Sequence, residues 1–577
     1  MDRVPAERAD LLTEAVAEVI ASHPRAQRLA RIEAMAVAYD GIRRALDGAG
    51  RAERTTGTEP PRNDRPGGPI AAAAWFTPPA AVDRLLAHAI HRPPAAGWSV
   101  CDPACGTGHI LVAVARMLRH RGWSPSRMST AVHGMDLDPM AVAIARVRLA
   151  HVAGGTAAAW SSRIRAGDAL AGDAWSGHAF DAVIGNPPFL GQLTAGSARS
   201  AAARRARAER FDGAVRRYAD EATAFLLLGC RLAPAGTVAM LQPRSTLAAL
   251  DALAVRQACE STHSLVAIEA MPDRTFTADV QTVIVALRAG ATRRGAVRAI
   301  DEAGGTHRVD RGRTRGGAWS AALAAVHGVP DVRLRGIGVL ASIAEAAADF
   351  RQHYYGLRGR VRDARGHVPS SGERMLVTSG AIGCAQLTWG ERPVRIHGRA
   401  WRAPVVRPAD CATDRVLGPW CSARSGPKLL MATQTRVPEG WVDAGGLALP
   451  SVPVVTVRAR DGRAPWMAAA ALLSPPVAAE CWWRHGGAGM SATALRIGPR
   501  QLMDMPMPAG REAWRTGAAC LRRWHAAADP ALRERHATRF AEAMCDAYGI
   551  RTTGPRRELI DWWLPLATGS SARLGPG

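Results

Sequence analysis

The chain has 577 residues, 47% of them apolar and 21% charged, and it carries a net charge of +24 with an isoelectric point of about 11.1. These values exclude a disordered or fibrous chain, and the length predicts two or more domains. The positive charge predicts a polyanionic partner, with nucleic acid first and an acidic membrane surface second.

The ten cysteines are scattered without a CxxC pair. This spacing predicts neither a zinc site nor a disulfide framework, and it favours a reduced compartment. The longest nearly apolar run, residues 464–479, contains prolines and is too short to span a bilayer. The first residues lack the apolar core of a signal peptide. We therefore expect a cytoplasmic protein without a bound metal.

The sequence predicts an N-terminal segment, a linker and then a first domain. Residues 1–47 are expected to form an N-terminal helical segment, because apolar residues recur on one face. Residues 48–70 are rich in Gly and Pro, which predicts a flexible linker. In residues 71–300, short apolar runs alternate with helical patterns, for example a strand at 99–101 and a helix at 108–121. This alternation predicts a mostly parallel sheet.

The regular alternation ends near residue 300, and Gly, Pro and Trp become frequent. Short strand-like runs, such as VPVVTVRA at 452–459, predict a mixed α+β domain over residues 301–510. Residues 511–577 are predicted to form a C-terminal helical tail.

The first predicted strand runs into a tight glycine turn, DPACGTG, from Asp102 to Gly108. Gly106 and Gly108 allow the backbone to approach a ligand closely, and the helix that follows offers free N–H groups at its start. The spacing differs from GxGxxG, which argues against a dinucleotide pyrophosphate.

Two acidic residues end the next predicted strands. Asp136, in GMDLDP, is placed where a carboxylate accepts both hydroxyls of a ribose. Asp168, in AGDAL, falls near the same edge, where it can accept the exocyclic amine of an adenine ring. Open α/β sheets bind ligands at the ends of successive strands, so the three motifs together favour one ligand site.

The stretch AVIGNPPF, from Ala182 to Phe189, begins as a buried strand and ends in two prolines. Proline cannot donate a backbone hydrogen bond, so Pro187 and Pro188 form a stiff turn. This turn holds the amide of Asn186 and the ring of Phe189 at a fixed offset.

The series of motifs resembles that of the S-adenosylmethionine-dependent amino-methyltransferases, and in particular the DNA adenine-N6 methyltransferases of restriction–modification systems. WFTP at 75–78 resembles the family's motif before the first strand, DPACGTG its cofactor loop, GMDLDP its ribose motif, GDAL its adenine motif and NPPF its catalytic tetrapeptide. The motif order resembles the γ arrangement. It implies an α/β fold with a Rossmann-like class I methyltransferase domain and a C-terminal mixed α+β target-recognition domain.

The resemblance implies S-adenosylmethionine as cofactor and double-stranded DNA as partner. It assigns the cofactor to Phe76, Thr77, Pro78, Asp102, Ala104, Gly106, Gly108, Asp136, Asp168 and Ala169. It assigns catalysis to Asn186, Pro187, Pro188 and Phe189.

An exocyclic amine on adenine is a poor nucleophile, because its lone pair is delocalised into the ring. The Asn186 side-chain oxygen and the Pro187 carbonyl are expected to accept its two hydrogens and so make the nitrogen more nucleophilic. Phe189, and by a looser match Phe276, are expected to stack on the flipped-out base.

Five arginines follow the tetrapeptide within residues 197–210. One interpretation is a solvated helical face. The other assigns DNA phosphates to Arg199, Arg204, Arg205 and Arg207, since such contacts position a duplex without reading its sequence.

Some relatives carry a fused PD-(D/E)xK nuclease, which needs a lysine beside its acidic pair. The only lysine in the chain is Lys428, inside the predicted recognition domain, and the residues before 71 are too few for a nuclease fold. Cleavage would then reside in a separate restriction endonuclease or defence-system chain.

Two alternatives remain open. NPP(F/Y) also resembles RNA and protein-glutamine N-methyltransferases, because their amines need the same two acceptors. A DNA-binding defence protein that has lost catalysis is the other alternative. The long C-terminal region, the positive charge and the likeness of residues 491–508 to the end of target-recognition domains favour DNA.

Overall fold

The computed structural model describes residues 3–24, 27–52, 77–189, 201–215, 220–272, 281–291, 295–334, 336–349, 351–364, 369–370, 372–487, 489 and 493–569. The chain divides into two compact units, which we call unit 1 (residues 1–322) and unit 2 (residues 323–577).

Unit 1 is built around one large sheet. Its helices are α1 (Arg3–Ala21), α2 (Arg28–Ala52), α3 (Pro79–Ala89), α4 (His109–His120), α5 (Pro125–Ala131), α6 (Pro139–Ala153), α7 (Ala201–Arg210), α8 (Glu221–Leu232), α9 (Leu253–Thr262) and α10 (Arg311–Thr314). Its strands are β1 (Val100–Asp102), β2 (Val132–Asp136), β3 (Ile164–Ala166), β4 (Ala182–Gly185), β5 (Thr237–Pro243), β6 (His263–Ala270), β7 (Thr282–Ala289), β8 (Ala296–Ile300) and β9 (Thr306–Asp310).

The strand order of this sheet is β3-β2-β1-β4-β5-β7-β6-β8-β9. The first five strands in this order, from β3 through β2, β1 and β4 to β5, are parallel to one another. Strand β7 is antiparallel to both of its neighbours. The chain moves outward from β1 first through β2 and then, from β4, in the other direction. The carboxyl ends of β1 and β4 therefore flank a switch point, where open α/β sheets bind ligands. The predicted Rossmann-like fold is confirmed.

The domain and linker boundaries in the structure differ from those predicted from the composition of the sequence. Residue 300 is the last residue of β8, which pairs antiparallel with β9 in the same sheet, and the division falls instead after residue 322. Helical alternation stops near 300 because the last two strands form a hairpin without a helix between them. At the other end, α2 continues to Ala52, so its last turn occupies residues assigned to the linker.

Unit 2 is a mixed α+β unit. Its strands are β10 (Gly336–Val339), β11 (Ala344–Ala348), β12 (Val361–Asp363), β13 (Arg374–Val377), β14 (Ile382–Gly383), β15 (Gln386–Leu387), β16 (Val394–Ile396), β17 (Arg399–Trp401), β18 (Pro404–Val406), β19 (Lys428–Met431), β20 (Gln434–Thr435), β21 (Gly440–Asp443), β22 (Ala448–Pro450), β23 (Val455–Ala459), β24 (Leu495–Arg496) and β25 (Pro506–Pro508). Helix α11 (Ala321–Val326) crosses the division, and α12 (Arg351–Gly356), α13 (Leu417–Arg424), α14 (Trp466–Leu472), α15 (Pro475–His485), α16 (Pro499–Met503), α17 (Arg511–Ala526), α18 (Pro530–Ala547) and α19 (Thr553–Thr568) follow.

Two four-stranded sheets organise unit 2, in the orders β11-β23-β19-β21 and β12-β18-β13-β22. The helices of the predicted tail pack on one another, with Trp524 and Trp563 in edge contact at 5.8 Å between ring centroids. All ten cysteines are free and buried. Among the described residues, no helix is long and apolar enough to cross a membrane.

Candidate functional site

A cavity opens at the carboxyl ends of β1 to β4 in unit 1. It is lined by nine of the residues singled out from the sequence, namely Thr77, Asp102, Ala104, Gly106, Asp136, Asp168, Ala169, Asn186 and Pro188. The parallel pairing of these strands brings the motifs at their carboxyl ends together, and Thr77 meets Asn186 here although 109 positions separate them in the chain. Phe76, Arg199 and Phe276 lie outside the described residues.

The glycine turn forms the floor of the cavity. Gly108 has a φ of +83°, and a Cβ there would lie 3.0 Å from the Cβ of Ala145 in α6. Gly106 also has a positive φ, and its N–H donates to Asp136 Oδ2 at 2.9 Å. Both positions therefore favour glycine, and the turn is fastened to the second strand.

Asp136 is held from two sides. Besides the bond from Gly106, its Oδ1 accepts the backbone N–H of Asp138 at 3.0 Å. Asp168 Oδ1 accepts the N–H of Leu170 at 2.9 Å, so this side chain also orders the start of its own loop. Each carboxylate thus has a fixed orientation at the cavity wall.

Asp102 is the most deeply buried of the acidic residues that line the cavity, with 1% of its surface exposed. Its Oδ1 accepts the N–H of Ala104 at 3.1 Å. Burial raises the pKa of Asp102 to about 8, and the nearby charge of Asp136 acts in the same direction, while the bond from Ala104 opposes them. A buried carboxyl of this kind favours a cationic ligand group, which would stabilise its ionised form.

Asn186 emerges from β4 beside the cavity. Its Nδ2 donates to Thr77 Oγ1 at 3.1 Å, while its Oδ1 is buried and has no hydrogen-bond partner among the residues that the structure describes. Leaving a buried acceptor unpaired costs about 1–3 kcal/mol, so a ligand that donates to it recovers that cost. The site therefore holds an acceptor fixed in place and ready for an N–H group.

The remaining residues of the tetrapeptide lie close by. Pro187 is buried, Pro188 lines the cavity, and the half-buried ring of Phe189 packs against the core of unit 1. Pro78 caps the start of α3, directly after Thr77.

The arginines after the tetrapeptide differ in their exposure to solvent and in their partners. Arg205 is exposed, whereas Arg207 is paired with Glu221 at 3.2 Å and its side chain is only 13% exposed. Glu221 itself lines the cavity. The phosphate role expected for Arg207 is thus not supported by its placement, because its guanidinium is engaged inside unit 1. Only the backbone of Arg204, in α7, is described.

Sequence reasoning did not single out several residues that line the cavity: Asp40, Thr107, His109, Glu221 and Phe225. Thr107 lies within the recognised glycine turn, and Glu221 follows an N-capping aspartate at the start of α8. Asp40 comes from α2, before the predicted linker, and nothing in its local sequence marks it as a ligand-site residue.

Residues 71–315 match the family model described as N-6 DNA Methylase. This segment belongs to that family. We call it the methylase domain, and its cofactor is S-adenosylmethionine.

Among curated proteins, the chain resembles the methylase subunit of the type I restriction enzyme MjaIX of Methanocaldococcus jannaschii, with 33% identity over 93 residues. That match covers 16% of this chain and 15% of the relative's length.

Two solved structures are similar. The type IIL restriction-modification enzyme MmeI, solved in complex with DNA, aligns with 85% of this chain and 75% of its own, at a TM-score of 0.52 and 10% identity. The type I restriction-modification methyltransferase subunit from Streptococcus thermophilus aligns with 40% of this chain and 48% of its own, at a TM-score of 0.32 and 20% identity. At 10% identity, the similarity between this chain and MmeI shows a shared fold and nothing further.

The donor set of the methylase domain fits S-adenosylmethionine. Asp102 and Asp136 provide buried and oriented carboxylates for a molecule with cationic groups and ribose hydroxyls. Apart from its chain neighbours, no atom of the described residues lies within 4 Å of the position that a Cβ would take at Gly106, so the turn leaves room beside its backbone.

We expect Asp136→Ala to weaken S-adenosylmethionine binding by about 1.5–3 kcal/mol, the usual range for hydrogen bonds to a charged group. The substitution removes the carboxylate that is expected to accept the ribose hydroxyls, and it also releases the N–H of Gly106. Titration calorimetry measures the change. Asp173→Ala, on the loop after β3 and outside the cavity lining, serves as a control that should bind normally. Unchanged affinity of Asp136→Ala would assign the ribose to another residue.

We expect cofactor binding to release a proton from Asp102. Because its pKa is raised to about 8, the carboxyl is protonated at neutral pH and must ionise to pair with a cation. Affinity should therefore rise with pH, by up to about tenfold between roughly pH 6 and pH 7. Calorimetry in buffers of different ionisation enthalpy counts the protons, and Asp102→Asn should abolish their release. Proton uptake in the unsubstituted protein would contradict this role.

Proposed function

We propose that the chain is a sequence-specific DNA methyltransferase that transfers a methyl group from S-adenosylmethionine to adenine N6, in restriction–modification or phage defence. The observation that carries the proposal is the buried, unpartnered Oδ1 of Asn186 on the cavity wall. An amide oxygen held by its own NH₂ group on Thr77 is suited to accept a hydrogen from a substrate amine.

Bound S-adenosylmethionine supplies an electrophilic methyl group. The contribution of the chain is to present the amine. Asn186 Oδ1 accepts a hydrogen bond from one N–H of the amine, and the Pro187 carbonyl accepts a hydrogen bond from the other. These two bonds direct the lone pair of the nitrogen away from the ring. Thr77 fixes the rotation of the Asn186 amide, so little reorganisation is needed during the reaction.

Phe189 is proposed to stack on the flipped base. Its half-buried ring rests on the core of unit 1 on one side, which fixes its position. Extruding an adenine from a duplex costs a few kcal/mol, and a preordered ring offsets part of that cost. Phe276 keeps its proposed role as the second ring.

Unit 2 is proposed as the reader of the DNA sequence. Its hairpin β16–β17 exposes Arg395 and Arg399, and the latter lies 4.8 Å from the ring of Trp401. The turn is tight, with His397 and Gly398 both at positive φ, and His397 N donates to the hydroxyl of Tyr354 at 2.8 Å. A rigid two-stranded ribbon with exposed arginines is an element that can enter a major groove.

The proposal is tested by incubating the full chain with labelled S-adenosylmethionine and double-stranded DNA, RNA or protein. Label in DNA as N6-methyladenine, at one recurring sequence in single-molecule sequencing, is the expected result. Label only in RNA or on peptide glutamine would replace the DNA assignment. Cofactor binding without label in any substrate would indicate a DNA-binding protein that has lost catalysis.

A further inference from the structure

Helices α1 and α2 precede the methylase domain, yet both pack on its helix α6. Helix α6 starts three residues after Asp136 and is buried on nearly all sides. Two arginines of α6, Arg146 and Arg148, are each only 2% exposed. Buried arginines require partners, and here the partners come largely from the N-terminal helices.

Arg146 fastens α1. Its Nη1 donates to Asp10 Oδ1 at 2.5 Å and to Thr13 Oγ1 at 3.2 Å. Its Nε donates to the carbonyl of Ile164, at the start of β3, at 2.8 Å. One guanidinium thus joins α1 to the edge of the sheet.

Arg148 joins α2 to the glycine turn. Its Nη2 donates to Glu33 Oε2 at 2.6 Å, and its Nη1 donates to the carbonyl of Thr107 at 2.7 Å. Arg116 of α4 binds the other oxygen of Glu33 at 3.1 Å. A displacement of α2 would therefore act directly on the turn that forms the cavity floor.

About two turns further along, α2 reaches the cavity itself. Tyr39 donates to Asp138 Oδ2 at 2.5 Å, and Asp138 in turn caps α6. Asp40, 7% exposed, accepts a hydrogen bond from Thr107 Oγ1 at 3.2 Å and lines the cavity.

His109 Nδ1 lies 3.8 Å from Asp40 Oδ2. Burial, followed by the charges of Arg148 and Arg116, lowers the pKa of His109 to about 3. The imidazole is therefore neutral, and Asp40 is the acidic group of this part of the cavity wall. An acidic side chain in the wall favours a ligand with sulfonium and ammonium groups.

We propose that α1 and α2 are a working part of the cofactor site, in which Asp40 of α2 supplies one charged wall and cofactor binding is coupled to the docking of both helices on α6. The inference rests on the proposed function only in taking S-adenosylmethionine as the ligand. Asp40 acts on the cofactor directly through its charge and also positions Thr107.

The first test is hydrogen exchange on the unsubstituted full chain, with and without saturating S-adenosylmethionine. We expect the cofactor to slow exchange of the amides in residues 28–41 by at least about tenfold, because opening of α2 must break the cavity wall. Unchanged exchange in residues 28–41, with the cofactor bound, would overturn the proposal. This readout needs no variant and does not depend on methylation.

The second test is calorimetry on Asp40→Asn, which keeps the shape of the side chain and removes its charge. We expect S-adenosylmethionine to bind about tenfold more weakly, and we expect Asp40→Glu to recover most of the loss. Glu18→Gln, an exposed acid on α1 outside the cavity, is the matched control and should bind normally. Normal binding by Asp40→Asn would overturn the proposal. An unsubstituted chain that binds no S-adenosylmethionine would instead refute the proposed function.

Discussion

Asn186→Ala is expected to slow methyl transfer by about 10²–10³-fold, the usual loss when a preorganised hydrogen-bonding group of an active site is removed. The affinity for S-adenosylmethionine should stay within about twofold, because the free oxygen of Asn186 is directed to the amine. Single-turnover methylation of DNA measures the rate, and calorimetry measures the affinity. The structural reason is the buried Oδ1, which has no hydrogen-bond partner among the described residues and is therefore available to the substrate amine.

Thr77→Val is the matched variant for Asn186→Ala. It preserves the shape of the side chain but removes the hydroxyl that accepts from Asn186 Nδ2 at 3.1 Å. We expect a smaller loss of rate, about tenfold, because the amide keeps its place but loses its fixed rotation. In the double variant the two losses should not add, since both act through one amide. More than about a tenth of the normal rate in Asn186→Ala would contradict its role.

Lys428→Met is expected to destabilise unit 2 by about 3–5 kcal/mol, the cost of leaving one partner of a buried ion pair alone. Lys428 and Asp443 are 0% and 1% exposed, and Nζ donates to Oδ2 at 2.6 Å. Burial lowers the pKa of Lys428, and Asp443 opposes that shift. Asp443 also accepts the N–H groups of Leu447 and Ala448, so it orders the loop between β21 and β22.

Denaturant unfolding followed by tryptophan fluorescence measures the effect, because most of the 17 tryptophans belong to unit 2. Arg557→Gln is the control. It breaks the pair with Asp561 on α19, whose side chains are 82% and 68% exposed, and exposed pairs contribute about 0.5 kcal/mol or less. A Lys428→Met protein that unfolds at the same denaturant concentration as the unsubstituted protein would show that the charge pair is dispensable.

The alternating strands and helices of unit 1 could be predicted, because local sequence signals such as glycine turns and prolines define where these elements begin and end. The helix expected at 108–121 is α4, His109–His120, whose start is set by a glycine turn. Asn186 and Pro188 of the NPPF turn line the cavity, where prolines and a strand end fix the local geometry, and their catalytic role stays a prediction.

Features that depend on distant packing escaped prediction. Hydrophobic periodicity predicted a helical segment over residues 1–47, where the structure has α1 and α2, but it does not say which later helix this segment covers, so Asp40 was missed. The run of arginines suggested a phosphate contact for Arg207, because the local sequence does not show that its partner Glu221 lies 14 residues further along the chain. The boundary near 300 was wrong because a terminal hairpin ends the helix–strand alternation before it ends the sheet.

Because every cysteine is buried, the reaction of each thiol with a reagent reports local unfolding of the structure around it. Cys101, Cys105, Cys230 and Cys259 belong to unit 1, and the other six belong to unit 2. A water-borne alkylating reagent can reach these sulfurs only when the surrounding structure opens. Mass spectrometry of the tagged peptides then gives a separate opening rate for each unit, without any engineered probe.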